Sequence, residues 1–322
     1  MTLFPFSPFE QVAKQMDLWG EKGISFVFLV DYSLENAWAG SLDEAAELGF
    51  SFEFDSTGIS AESISFSKKP LSFADYSEKF RQIQVGLKRG DSFLLNLTAE
   101  TPIETKLSLE DIFQRADAPY KILVQDYFTS FSPETFIQIQ GNKIASFPMK
   151  GTLEVNEGDS EATLQNDPKE KAEHATIVDL IRNDLSKVAF PIQVEKYQYI
   201  DKVKTNTGEL WQMSSKITGT LMPEFEQKFG TILQQLLPAG SITGAPKKAT
   251  MQLIEQTEQY DRGFYTGIMG KFDGTSFNSG VLIRFIENQS NGLVFKSGGG
   301  ITVFSDVKKE YEELIQKVYL PF

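Results

Sequence analysis

Segments of strand period and segments of helix period alternate along this chain without the strand–helix–strand rhythm of a parallel sheet. Short apolar or alternating stretches come in neighbouring pairs, with amphipathic helices between the pairs. The plainest pair is Ile137–Gln140 and Lys143–Ser146, joined by Gly141-Asn142, a two-residue hairpin signal. The pattern predicts an α+β fold, a layered sandwich of mostly antiparallel sheets covered by helices. Helices are expected over 8–20, 73–88, 107–117, 169–187, 223–237, 243–259 (with Thr243 as N-cap) and 305–319. Strands are expected over 24–31, 93–100, within 121–149, and over 191–204, 208–220, 263–272, 277–287 and 292–298. The stretch 41–70 reads as short strands and turns, and the polar segment 154–168 as a loop able to act as a flap. No repeat, low-complexity tract or linker divides residues 1–322, which are read as one domain.

Composition removes whole classes of chemistry. The absence of cysteine excludes disulfides, thiolate catalysis and cysteine–zinc sites. One histidine, His174, leaves no histidine-rich metal site, and its place on the helix reads as structural or surface. No G-x-S-x-G elbow is present. A net charge of −13 argues against nucleic acid or an anionic membrane as partner. No apolar run is long enough for a membrane span, and the N-terminus lacks the pattern of a secretory signal, so a cytoplasmic address is expected. Carboxylates, lysines and a hard, oxygen-loving metal are left to carry any reaction.

Several segments concentrate such groups. Gly298-Gly299-Gly300 leaves backbone amides approachable, and the helix after it carries Glu310, Glu313 and Lys317 on one stripe. That combination suits a small anion held with a divalent cation. Glu173 is in phase with the apolar stripe Ile177, Leu180, Ile181, Leu185, Val188. An unpaired carboxylate on a buried face costs several kcal/mol, roughly, so a metal or a base is expected beside it, unless it is simply exposed at the helix start. Lys247 and Lys248 lie in the first turn of the helix after Pro238-Ala-Gly-Ser-Ile-Thr-Gly-Ala-Pro246, where a bound anion would offset the unfavourable dipole. The spacing is not that of a P-loop. Arg284, within an apolar stretch read as one strand, shares a face with Leu282 and Ile286 and needs an anion to grip. Lys150 follows a strand and precedes the flap, where a pocket lysine can serve as a nucleophile.

Taken together these segments resemble the chorismate-utilising enzymes, the family of anthranilate, aminodeoxychorismate, isochorismate and salicylate synthases. The resembling pieces are Ser132-Pro-Glu-Thr-Phe136, Pro148-Met-Lys-Gly-Thr152, the run from Lys171 to Asp184, PAGSITGAPK (238–247), RGFYTGIMG (262–270), Ile283-Arg284, GGGI (298–301) and EYEELIQK (310–317). They follow the family's order over roughly residues 76–317, after a shortened N-terminal part at 1–70. Lys150 resembles the form seen in component I of aminodeoxychorismate synthase, where anthranilate synthases usually have alanine. The resemblance implies Mg²⁺ held by Glu173 and Glu313. It implies chorismate bound through Ser241, Thr243, Gly244, Tyr265, Arg284, Lys317 and the backbone at Gly298, Gly299 and Gly300. Glu134 would act as general acid at the C4 hydroxyl, and Lys150 would add transiently to C2. Ammonia, supplied by a glutamine amidotransferase partner, would then give 4-amino-4-deoxychorismate, the route to para-aminobenzoate and folate. Anthranilate synthase component I, isochorismate synthase and a non-catalytic relative are the alternatives. Gln212 stands where many members have histidine, which weakens the anthranilate reading.

Overall fold

The computed structural model describes residues 4–55, 66–154, 161–205 and 208–320. Among them every strand pairing is antiparallel. The strand Phe26–Val30 shows how the layers stack, because all five of its residues are buried. Phe26, Phe28 and Val30 pack with Phe9, Ala13 and Met16 of one helix and Phe229, Ile232 and Leu233 of another. Val27 and Leu29 point the opposite way and meet Phe50, Ile122, Phe128 and Phe285 from a second sheet. A strand covered on both faces must be apolar throughout, which is why its sequence does not alternate.

The first sheet runs in the order Met149–Glu154, Gly208–Leu221, Lys143–Ser146, Thr135–Gln140, Ser276–Val281, Ile268–Phe272, Phe26–Val30, Ala37–Gly40, with Ala189–Thr205 also paired to Gly208–Leu221. The second runs Gly244–Ala245, Leu94–Glu104, Gly292–Ile301, Phe285–Gln289, Phe128–Ser132, Tyr120–Val124, Phe50–Phe54. The helices Phe9–Glu21, Pro168–Leu185 and Phe229–Leu236 cover the outer face of the first sheet. The outer face of the second is covered by Phe73–Arg89, Lys247–Glu258 and Val307–Gln316. The expected α+β sandwich is therefore the one observed.

Two passages between the sheets matter most. From Phe128–Ser132 the chain crosses to Thr135–Gln140 through Pro133 and Glu134, and from Ser276–Val281 it crosses back to Phe285–Gln289 through Leu282, Ile283 and Arg284. The crossings are bonded to each other: Val281 N–H donates to Glu134 O at 3.0 Å and Phe131 N–H to Arg284 O at 3.1 Å. Both bring a charged side chain to the seam of the sandwich.

Several expected elements differ. The helix read over 223–237 is a short 3₁₀ turn, Pro223–Phe225, and a separate helix, Phe229–Leu236, since Gln227 turns left-handed between them. The segment 243–259 is also divided: Gly240–Thr243 is a single helical turn, Gly244-Ala245 pairs as a strand with Leu94 and Leu95, and the helix begins only at Lys247. Pro246, not Thr243, caps it. The 41–70 stretch holds a helix, Leu42–Glu47, with a Ser41/Glu44 capping box. The expected loop 154–168 contains the helix Glu161–Gln165, while its residues 155–160 lie outside the described ones.

Candidate active site

Glu134 occupies the first crossing, and Ser241 Oγ donates to its Oε1 at 2.7 Å. Burial pushes the Glu134 pKa up, opposed by the Ser241 hydrogen bond and by the positive charges of Lys150, Lys317 and Arg284. All three cations are thus within electrostatic reach of one carboxyl. Arg284 occupies the second crossing. It does not lie within a strand, which corrects the alternation argument that placed it beside Leu282 and Ile286. Its φ of 54° is left-handed, so the backbone turns there and the period of two is lost. Arg284 Nε donates to the Tyr319 hydroxyl at 3.2 Å, with the guanidinium 5.1 Å from that ring's centre. A long side chain so clamped is half set for an anion before one arrives. Tyr265 is buried against Phe285, and the charges of Arg284 and Glu134 both reach it.

Lys150 enters from the edge of the first sheet. Its strand skips one residue against Gly208–Leu221: Met149 pairs with Ser214, but Thr152 pairs with Gln212. Lys150 and Gly151 thus form a β-bulge, a device that re-aims a side chain out of the regular alternation. The ammonium reaches Gly300, where a Cβ would lie only 2.9 Å from Lys150 Nζ. The strand expected over 292–298 extends through all three glycines. They belong to Gly292–Ile301 and pair with Asn96, Leu97 and Thr98. On the other side Phe285–Gln289 pairs only as far as Lys296, so among the described residues that edge of the glycine run carries no strand. Lys317 Nζ donates to Gly298 O at 2.8 Å and lies 2.6 Å from Glu313 Oε1. Burial pushes the Lys317 pKa down, Glu313 opposes this, and Lys150 and Arg284 add to it.

Carboxylates gather behind the same glycines. A Cβ at Gly299 would sit 3.6 Å from both Glu310 Oε2 and Glu313 Oε1. Glu310 is almost fully buried, and the sequence reading had not assigned it to the metal. Glu173 is half-buried on Pro168–Leu185. Among the described residues no group of three or more His, Cys, Asp or Glu is placed to hold an ion. A pair of carboxylate oxygens beside approachable backbone nevertheless suits Mg²⁺, which takes one or two carboxylates and fills its shell with water and substrate oxygens. Glu310 and Glu313 supply oxygen donors of the kind such an ion takes.

The segment around Ser241 divides its duties. Ser241 faces Glu134, whereas the fully buried Thr243 gives both its hydroxyl and its backbone N–H to Ala239 O. Gly244 has φ 128°, and a Cβ there would lie 1.8 Å from Leu94 O, so glycine is needed for the strand contact alone. Lys247 does not await an anion: its Nζ lies 2.8 Å from Asp184 Oδ2 and donates to Leu236 O. A pocket opens beside Glu134 and Ser241, but Phe136, Ile137, Ile181, Leu185 and the acidic Asp184 line it, a wall unsuited to a dianion.

A family model for chorismate binding enzymes matches residues 11–321. The chain belongs to that family. A Haemophilus influenzae member named an uncharacterized PabA-like protein is 45% identical over 320 residues, 98% of each chain. The aminodeoxychorismate synthase component 1 of Klebsiella aerogenes is 32% identical over 262 residues, 77% of this chain and 57% of that one. An anthranilate synthase component 1 of Haloarcula marismortui is 31% identical over 261 residues, 76% of this chain and 50% of that one. The chain thus spans about half the length of these synthase components. The solved structure of MenF, the menaquinone-specific isochorismate synthase of Escherichia coli, superposes with a TM-score of 0.72 at 15% identity, covering 98% of this chain and 82% of that one. At that identity the likeness is one of fold.

In this chorismate binding enzyme, two features were not legible beforehand. His174 is fully buried, with Nε2 2.7 Å from Ser215 Oγ, and burial holds its pKa down to about 4. The structural part of the sequence reading therefore stands and the surface part does not. The bulge at Lys150 depends on Gln212 and Ser214, far along the chain, and no local pattern announces it.

Proposed function

We propose that the chain aminates chorismate at C4 to give 4-amino-4-deoxychorismate, using ammonia. The observation that carries this reading is Lys150: a primary amine directed by a β-bulge to Gly300, with a protonatable carboxyl, Glu134, among the same cations. Chorismate is a dianion, and in a protein of net charge −13 the group of Lys150, Arg284 and Lys317 is where such a ligand is attracted. Glu134 would deliver a proton to the departing C4 hydroxyl while the Lys150 amine adds at C2, and ammonia at C4 would then expel Lys150. Glu173 and Glu313, with Glu310 beside Glu313, would hold Mg²⁺. Bound there, the ion would neutralise substrate carboxylate charge. Tyr265, Ser241 and the Gly298–Gly300 backbone would complete the binding surface.

A second reading is favoured by the relatives themselves, which are named for anthranilate as well as aminodeoxychorismate synthesis. An anthranilate-type or isochorismate-type reaction on the same substrate would use the same seat. Product identification separates the readings. The purified chain, incubated with chorismate, Mg²⁺ and an ammonium salt, is expected to release 4-amino-4-deoxychorismate, detected by chromatography and mass spectrometry. Fluorescent anthranilate, or isochorismate formed without ammonium, as the main product would move the chain to the other reading.

A further inference from the structure

Arg262 and Glu258 form an ion pair whose side chains are only 2% and 1% exposed. Arg262 Nε donates to Glu258 Oε2 at 2.8 Å and Nη2 to Oε1 at 2.7 Å. Two charges taken this far from water are tolerable only when their remaining donors and lone pairs are also met. A guanidinium has five N–H donors, and here each has a partner. Besides the two bonds to Glu258, Nη2 donates to Asn96 O at 2.7 Å, and Nη1 donates to Ile242 O at 3.1 Å and to the Thr266 hydroxyl at 3.4 Å. Glu258 Oε1 accepts the Thr98 backbone N–H at 2.7 Å and the Thr98 hydroxyl at 2.8 Å. Every one of these partners adjoins the charged cluster. Asn96 and Thr98 are the register partners of Gly300 and Gly298. Ile242 lies between Ser241 and Thr243. Thr266 follows Tyr265, and its N–H donates at 2.8 Å to Leu282 O, on the crossing that carries Arg284.

We propose that Arg262 and Glu258 are a pair of positioning residues, which fix the glycine floor, the Ser241 turn and the Tyr265–Arg284 side of the chorismate seat relative to one another before substrate arrives. The pair acts through the backbone and hydroxyls it holds and never meets substrate. Only a rigid fork can hold acceptors from three chain segments in set directions, which is why an arginine stands here rather than a lysine. The inference rests on chorismate as the substrate proposed above, but not on which product is made from it.

Arg262→Lys keeps the charge and loses the fork, since an ammonium has only three donors. Rates are followed as chorismate consumed with Mg²⁺ and an ammonium salt, at a temperature where circular dichroism shows the variant folded. A seat misplaced by up to about 1 Å loses as much as roughly 10²-fold in kcat/KM. Arg262→Lys is expected to raise KM about tenfold or more and to lower kcat by less than about threefold, in keeping with that bound. Lys121→Met is the control. Lys121 is a second buried cation, 2.7 Å from Glu53 and donating to Phe113 O, on a strand near the other edge of the same sheet. Its loss is expected to lower stability and leave KM within about twofold, since it holds no segment of the seat. An unchanged KM in Arg262→Lys, a loss confined to kcat, or an equal rise in Lys121→Met would overturn the proposal. If Arg262→Lys does not fold, hydrogen exchange in the wild-type chain decides. The Thr98 amide, which donates to Glu258, is expected to be protected before chorismate is added. Fast exchange there until chorismate binds would overturn a seat fixed in advance. A wild-type chain that neither binds nor consumes chorismate would overturn the functional reading and this inference together, whereas normal wild-type consumption with an unaffected Arg262→Lys would overturn the inference alone.

Discussion

Lys150 and Glu134 share one set of neighbouring charges and are suited to opposite tasks. If the lysine amine forms a covalent intermediate, Lys150→Ala should lower 4-amino-4-deoxychorismate formation by roughly 10³-fold or more, since it removes the route that splits one hard step into two. Chorismate binding, followed by calorimetry, should persist through Arg284 and Lys317; an unchanged turnover rate would exclude the nucleophile. Glu134 calls for a pH argument. Its pKa is raised, so it keeps a proton above the usual carboxylate range, and that proton is lost as pH rises through the shifted value. The acid-dependent step should therefore show an alkaline limb. Glu134→Gln keeps a group for Ser241 to bond but has no proton to transfer, so a loss of about 10²–10⁴ in kcat and disappearance of that limb are expected.

At the scale of elements, two glycines make contrasting demands. A Cβ at Gly300 meets the flexible end of Lys150, whereas one at Gly244 meets the rigid backbone of Leu94 at a left-handed φ. Gly300→Ala should leave stability within about 1 kcal/mol while depressing turnover at least about tenfold, and Gly244→Ala should cost about 3 kcal/mol or more. Urea unfolding and steady-state rates on both variants check the pair, and a reversed ranking would refute it. The helix carrying His174 adds a pH dependence. With the folded pKa near 4 and the unfolded one near ~6.5, the unfolded chain binds a proton that the native state refuses. Stability should fall as pH drops through that window, by about 3 kcal/mol at most, and be full above it. Ser215, Tyr197 and the Lys150 backbone face the ring, and the Lys150 charge opposes its protonation. In His174→Gln the fall should shrink; an equal fall would assign it to carboxylates elsewhere. The strands and most helices were legible because hairpin turns, caps and apolar periods are local. Arg284 was misplaced because its turn is set by the crossing between sheets, which is a property of partners at Phe131 and Thr266 rather than of the stretch itself. Lys150, Glu134 and the glycines were legible as pieces of a resemblance, but the bulge that aims the lysine was not.

The whole molecule poses a supply problem. It carries 44 acidic against 31 basic residues, so its long-range field repels an anionic substrate, and only the local cations at the sheet seam reverse that. In the proposed amination the ammonia is neutral and unaffected by the field, but it must be supplied. Cysteine is absent from all 322 positions, so the chain has no thiol with which to attack the glutamine amide. The expected behaviour follows directly. With glutamine as the sole nitrogen source the purified chain should form no aminated product, and an ammonium salt should restore turnover, more strongly as pH rises and the ammonia fraction grows. That rise opposes the alkaline limb set by Glu134, so the rate on ammonium should pass through a maximum, and Glu134→Gln should show the ascending side alone. Adding a glutamine amidotransferase that docks productively should shift the nitrogen source to glutamine near neutral pH. The measurement is product formation against pH with each nitrogen donor, with and without chelator, since removing Mg²⁺ should abolish every branch. Glutamine-dependent amination by the isolated chain would refute the supply argument, and full turnover in chelator would refute the metal.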